Sequence, residues 1–154
     1  MGLLNVASSG SVWRGYECYK ANKILEETKV SDTEFAGKVA GSSNNSYDVF
    51  IDVEHVRKSH CNCPHANGKR IVCKHQIALF FSAFPEEAEK YYKNVVAYEE
   101  EEERRQIELE DKVSKYIDSL SEDELRQMVY SLLYDSPDWV FERFVRDYIE
   151  DYDE

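Results

Sequence analysis

The chain has 154 residues, a length suited to one compact domain with an extension, and its 42% apolar share is enough for a core despite 32% charged residues. Thirty-one Asp and Glu against nineteen Lys and Arg give a net charge of −12, which opposes free diffusion onto a polyanion. No apolar run approaches the ~20 residues needed to span a membrane, and Met1–Val6 has neither the basic-then-apolar order of a signal peptide nor Ser or Thr at position six for myristoylation. A soluble, reduced, cytoplasmic protein is expected.

Charge is unevenly spread. Residues 1–80 hold ten Lys and Arg against eight Asp and Glu, a net of +2; residues 81–154 hold nine against twenty-three, a net of −14. Two parts are expected, residues 1–84 and an acidic helical region over 85–154.

In chain order, Trp13, Tyr16 and Tyr19 recur at helical spacing and predict a short helix whose aromatics enter the core. Cys18, between two tyrosines, reads as a small buried residue. Ile24–Val30 is extended, and Phe35–Ala40 reads as a strand joined through the turn residues Gly41–Ser46 to a second one. In that second strand Tyr47, Val49, Ile51 and Val53 alternate with Asp48, Phe50, Asp52 and Glu54, placing the first set on one face and the second on the other. An antiparallel hairpin leading into Cys61 follows.

Cys61-Asn62-Cys63 and, ten residues on, Cys73-Lys74-His75 gather three of the four cysteines with a histidine at metal-ligand spacing. Ligands two apart on a strand point to one face, so Cys61 and Cys63 converge if the strand bends after Cys63, where Pro64 helps to end it. Asn67-Gly68 lets the chain double back. Cys73 and His75 then open a helix in which Ile77, Phe80, Phe81 and Phe84 recur at i, i+3, i+4, i+7. Three thiolates and one imidazole complete a closed tetrahedral zinc site, one structural Zn²⁺ with no position left for substrate or water. A disulfide between neighbours two apart fits poorly. His55, His60 and His65 flank the same cysteines. His60 would point to the opposite strand face and His65 would crowd three ligands onto one short segment, so His75 is the fourth ligand and His65 its alternative.

Pro85-Glu86-Glu87 opens the next helix, with Ala88, Tyr91, Tyr92, Val95 and Val96 as its apolar stripe. The run Glu99–Glu103 interrupts that stripe, so it is a solvated helix face or a hinge, with Arg104-Arg105 as partial offset, and a partner-binding acidic tract is its alternative. Ser121-Glu122-Asp123-Glu124 is a capping box before Leu125, Met128, Val129, Leu132 and Leu133. Ser136-Pro137 supplies an N-cap and a proline at N1 before Val140, Phe141, Phe144, Val145 and Tyr148. These last two helices form an αα-hairpin that must bury its apolar stripes on an earlier helix or on a partner. The fold class is therefore α+β: a small antiparallel sheet, a CxC…CxH site leading into a helix, and an acidic helical half.

The C-x-C, loop, C-x-H pattern of Cys61, Cys63, Cys73 and His75 resembles the ligand pattern of the SWIM zinc finger family. The resemblance extends to Arg14-Gly15-Tyr16-Glu17-Cys18-Tyr19, to Phe35–Ser42 and Tyr47–Val53, to the Cys63-Pro64 step and to Ala78 after His75, covering roughly residues 12–84. It implies a protein- or nucleic-acid-interaction module. No catalytic domain accompanies the finger, and no nucleophile arrangement or phosphate-cradling glycine loop stands apart from the metal residues, so an enzyme and a small-molecule substrate are not expected. A protein partner is the first expectation. Nucleic acid is the second, through Arg57, Lys58, Lys69, Arg70 and Lys74, whose other role is to compensate the −1 charge of three thiolates with Zn²⁺.

Overall fold

A computed structural model describes residues 2–42 and 45–149. Two compact units result, residues 1–97 and 98–154.

The first unit begins with α1 (Gly2–Val6) and α2 (Ser9–Lys20), the latter capped by Ser8, whose hydroxyl accepts from Ser11 N at 3.2 Å. α2 ends where Asn22 takes a left-handed φ of 52°, while Asn22 N donates to Tyr19 O and Lys23 N to Cys18 O, the paired bonds of a Schellman stop. The chain then enters β1 (Ile24–Lys29), β2 (Glu34–Ala40), β3 (Ser46–Asp52) and the two-residue β4 (His60–Cys61), all antiparallel in the order β1-β2-β3-β4. The predicted helix, third strand and hairpin are present; part of the Gly41–Ser46 turn lies outside the described residues.

The alternation predicted for β3 holds for Val49 and Ile51, which are buried, but Asp52, expected on the outer face, is only 1% exposed. It sits at the strand's last position and caps the following turn, its Oδ1 accepting from Glu54 N (3.0 Å) and His55 N (2.8 Å). Those backbone donors, with Lys58 Nζ at 3.4 Å, hold its carboxyl below the usual range against the opposing effect of burial.

α3 (Lys74–Ala83) lies between α2 and the sheet. The predicted stripe of Ile77, Phe80 and Phe81 is buried, and so is every residue from His75 to Phe81, because α3 has a layer on each side rather than one. Two glycines permit these approaches. A Cβ on Gly15 would lie 2.5 Å from Ile77 Cβ and 2.9 Å from Lys74 O, and one on Gly37 would lie 2.9 Å from Leu79 Cδ1 and 2.4 Å from Glu26 O. Gly15→Ala is accordingly expected to cost about 1–3 kcal/mol in urea unfolding by forcing α2 off α3. Gly10→Ala, on the same helix but with nothing nearer than Arg14 Nη2 at 3.7 Å, is expected to be neutral or stabilising. Equal effects at the two positions would refute the close crossing.

α4 (Pro85–Ser119) starts against this core, with Ala88 1% exposed and Tyr91 stacked on Phe81 at 5.5 Å, so the first unit continues past residue 84. Of the α2 aromatics, Tyr16 is buried at the centre of a ring cluster with Phe81, Tyr91 and Tyr92, whereas Trp13 stays 38% exposed.

The helix runs unbroken through Glu99–Glu103, so this run forms a helix face. Arg104 pairs with Glu101, and Arg105 with Glu101 (3.2 Å) and Glu102 (2.8 Å), relieving like-charge repulsion at i, i+3 and i, i+4. In the second unit, α5 (Glu122–Tyr134) has the expected capping box, Ser121 Oγ accepting from Glu124 N while Glu124 Oε2 accepts from Ser121 N at 2.8 Å. α6 (Asp138–Tyr148) departs from the prediction. Pro137 is the N-cap itself, with extended ψ of 145°, and Ser136 makes no cap. α5 and α6 pack on each other, Tyr134 meeting Phe141 at 5.6 Å. Among the described residues no helix is long and apolar enough to cross a membrane.

Candidate metal centre

β4, the turn after it and the start of α3 bring the four predicted ligands together. Cys61 sits on β4 opposite Val49. The strand ends at Cys61, two residues earlier than predicted, because Asn62 takes over the pairing. Asn62 N donates to Asp48 O (3.2 Å), its Oδ1 accepts from Asp48 N (2.9 Å) and its Nδ2 donates to Asp48 Oδ2 (3.0 Å). Cys63 then starts the turn, its carbonyl accepting from Ala66 N and Asn67 N. Gly68 supplies the left-handed φ of 70° that reverses the chain, and buried Ala66 and Val72 pin the loop.

Cys73 is the N-cap of α3 and His75 lies in its first turn. Gln76 completes a sulfur version of the capping box: its backbone N–H faces Cys73 Sγ and its Oε1 accepts from Cys73 N at 2.8 Å. One sulfur thus both starts the helix and offers itself to a metal.

The donor atoms of Cys61, Cys63, Cys73 and His75 lie within 4.8 Å of one another and all four residues are buried. His75 Nδ1 is 3.9 Å from both Cys61 Sγ and Cys73 Sγ. Tetrahedral bonds of about 2.3 Å to sulfur and 2.0–2.1 Å to nitrogen put a nitrogen and a sulfur donor about 3.6 Å apart, so the two His75 contacts are within a few tenths of an ångström of that spacing. All four cysteines are free thiols. Cys73 is pulled down to about 4, chiefly by the hydrogen bond from Cys61, and Cys61 is pushed up as the donor of that bond. The pair therefore gives up one proton readily, and a soft divalent ion displaces the rest. Burial, donor chemistry and spacing all fit one structural zinc ion.

The other candidates lie apart from this cluster. Cys18 is a buried residue of α2 and lies outside the cluster. His55 is 63% exposed and pairs with Asp52 at 3.3 Å, while His60 stacks on Phe50 at 5.1 Å with Nδ1 against Lys58 O. His65 is exposed at the rim of the cluster. His75→Ala is expected to cost more zinc affinity than the about 10–100-fold typical of a supporting residue, with His65→Ala and Cys18→Ser keeping one zinc per chain in a competitive chelator titration. Tight metal in His75→Ala with loss in His65→Ala would move the fourth position to His65.

Residues 47–84 match the SWIM zinc finger family. The match runs from β3 to the end of α3 and encloses all four clustered residues. Arg14–Tyr19 and Phe35–Ser42 fall outside the matched span of the SWIM segment, yet they pack on it, Tyr16 against Phe81 and Phe35 against Phe84. No curated protein and no solved structure matches this chain.

Around the matched segment, the predicted basic groups split into two kinds. Lys58 is tied to Asp52. Arg57 and Arg70 line one surface groove of about 370 Å³ with Val6, Val56 and Ile71, and Lys69 is exposed on the neighbouring turn. Sequence reasoning missed Gln76, Asn62 and Asp52. Gln76 was findable, since a potential N-cap followed three residues later by Gln is the capping-box spacing. Asn62 and Asp52 carry no such signal, because their partners are set by strand register.

Proposed function

We propose that this protein is a non-enzymatic, cytoplasmic adaptor: a zinc-stiffened finger carries an acidic helical unit that binds a protein partner. The observation that carries the reading is the state of α5 and α6. Neither helix has a buried residue, and Val129, Leu132, Trp139 and Tyr148 are 45–65% exposed. Apolar stripes of this kind on a soluble chain mark interaction surfaces. Four buried protein donors leave a metal no open position, which supports a structural role over a catalytic one.

The test is a chain ending at Ala97, which keeps Ala88 and Tyr91 on the core. It is expected to keep zinc and lose the partner, and capture by the full chain is expected to survive nuclease. Arg57 and Arg70 sharing a groove favour a second reading, nucleic acid on the finger. On that reading the shortened chain binds DNA or RNA more tightly than the full one, with steep salt dependence, and Lys69→Ala with Arg70→Ala lowers the salt slope by about one unit per lost contact. That result would replace the adaptor reading.

A further inference from the structure

The α5–α6 hairpin carries a groove of about 380 Å³ lined by Leu133, Tyr134, Asp138, Phe141 and Glu142. Two of its lining residues are aromatic, the Tyr134 and Phe141 rings lying 5.6 Å apart at 40°, and Tyr130 stacks on Tyr134 beside it at 6.3 Å. Two others, Asp138 and Glu142, are acidic. The three cations of α5 and α6 are all engaged away from it, Arg126 with Glu122 (2.6 Å), and Arg143 and Arg146 both with Asp147 (3.2 and 3.1 Å). Asp138 and Glu142 have no ion-pair partner among the described residues. Aromatic rings and carboxylates lining one groove both attract the same kind of group, a cation on an apolar stem.

We propose that this groove docks a Lys- or Arg-bearing apolar segment of a partner protein. The inference rests on the adaptor reading and names the chemistry of its partner. Charge selects among occupants. Residues 98–154 hold seven Lys and Arg against twenty Asp and Glu, so a second copy of this unit would set like charge against like, whereas a cationic segment gains on approach and on docking. Tyr134 at 68% and Phe141 at 39% exposure retain apolar area for it to cover.

The experiment uses the full, zinc-loaded chain and three synthetic amphipathic peptides of roughly 15–20 residues that share a Leu stripe and carry Lys, Gln or Glu on the polar face. Binding is read by peptide anisotropy, and the oligomeric state by sedimentation. The Lys peptide is expected to bind at least about tenfold more tightly than the Gln peptide, and more weakly as salt rises. Tyr134→Ala and Phe141→Ala are each expected to cost about tenfold, and Asp138→Lys with Glu142→Lys to remove the preference for Lys over Gln, at unchanged helicity and zinc content. Equal binding of the Lys and Glu peptides, or indifference to all four substitutions, overturns the proposal. So does a dimer that Phe141→Ala converts to monomer, which assigns the groove to a second copy. A Lys peptide that binds residues 98–154 away from the groove sinks the groove and leaves the adaptor reading standing; a partner retained by the chain ending at Ala97 sinks that reading itself.

Discussion

Cys61→Ser, Cys63→Ser and Cys73→Ser are each expected to abolish stoichiometric zinc and unfold the first unit around residues 47–84. The magnitudes decide this. Structural zinc contributes about 10–16 kcal/mol of apparent binding energy at neutral pH, while a whole domain of this size has a net stability of about 5–15 kcal/mol. The effect is transmitted by particular residues. Cys73 is both donor and N-cap of α3, so losing the metal frees the start of the helix whose Ile77, Leu79, Phe80 and Phe81 form the core, all 0% exposed. Cys61 ties β4 to that same point, so losing the metal leaves the two-residue strand held by its pairing with β3 and the Asn62–Asp48 bonds. Excess chelator should act like the substitutions, and so should acid, which protonates the thiolates that a metal requires. Elemental analysis and near-ultraviolet circular dichroism provide the measurement, with one zinc per chain in the parent protein. A finger that stays folded in excess chelator at neutral pH would refute the assignment.

Phe81→Ala is expected to lower stability by about 3–5 kcal/mol, measured as a reduced urea midpoint at constant m and saturating zinc. Phe81 is fully buried where three helices meet. Its ring is edge-on to Tyr16 of α2 at 5.9 Å, 5.7 Å from Phe80 within α3, and stacked on Tyr91 of α4 at 5.5 Å. Truncation removes the transfer energy of the ring and leaves a cavity that three rigid helices cannot collapse. Saturating zinc holds the metal's contribution constant, so the change reports packing alone. Tyr92→Ala is the contrast. Tyr92 stacks on Tyr16 at 5.4 Å but is 45% exposed, and it should cost about 1 kcal/mol. Comparable losses at the two positions would place the centre of the core elsewhere.

The metal site and much of the fold were legible in the chain because their signals are local. Cys61, Cys63, Cys73 and His75 are recognisable by residue type and spacing alone, since a metal needs those donors whatever surrounds them. The β2–β3 hairpin, α3 and the Ser121 capping box follow from periods of two and 3.6 and from one cap, each contained within a dozen residues. Where two local signals competed, the sequence was ambiguous. Glu99–Glu103 does not declare its local structure by sequence, and only the structure shows it as part of a continuous α4 with i, i+3 and i, i+4 pairs to Arg104 and Arg105.

Tertiary structure decided what depends on a neighbour distant in sequence. Asp52 turns inward because backbone donors of the next turn converge on it, and β4 stops at Cys61 because Asn62 finds Asp48 fourteen residues away. Gly15 matters because Ile77 crosses it, and α3 is buried all round because α2 covers the side that the sheet does not. The joining of aromatic rings to carboxylates without an ion-pair partner among the described residues is likewise absent from either helix read alone. It arises when Tyr134 and Phe141 meet across the Asp135–Pro137 break and the local arginines are spent on other carboxylates. Periodicity gives each helix its apolar face, but packing determines which faces find a cover within the chain.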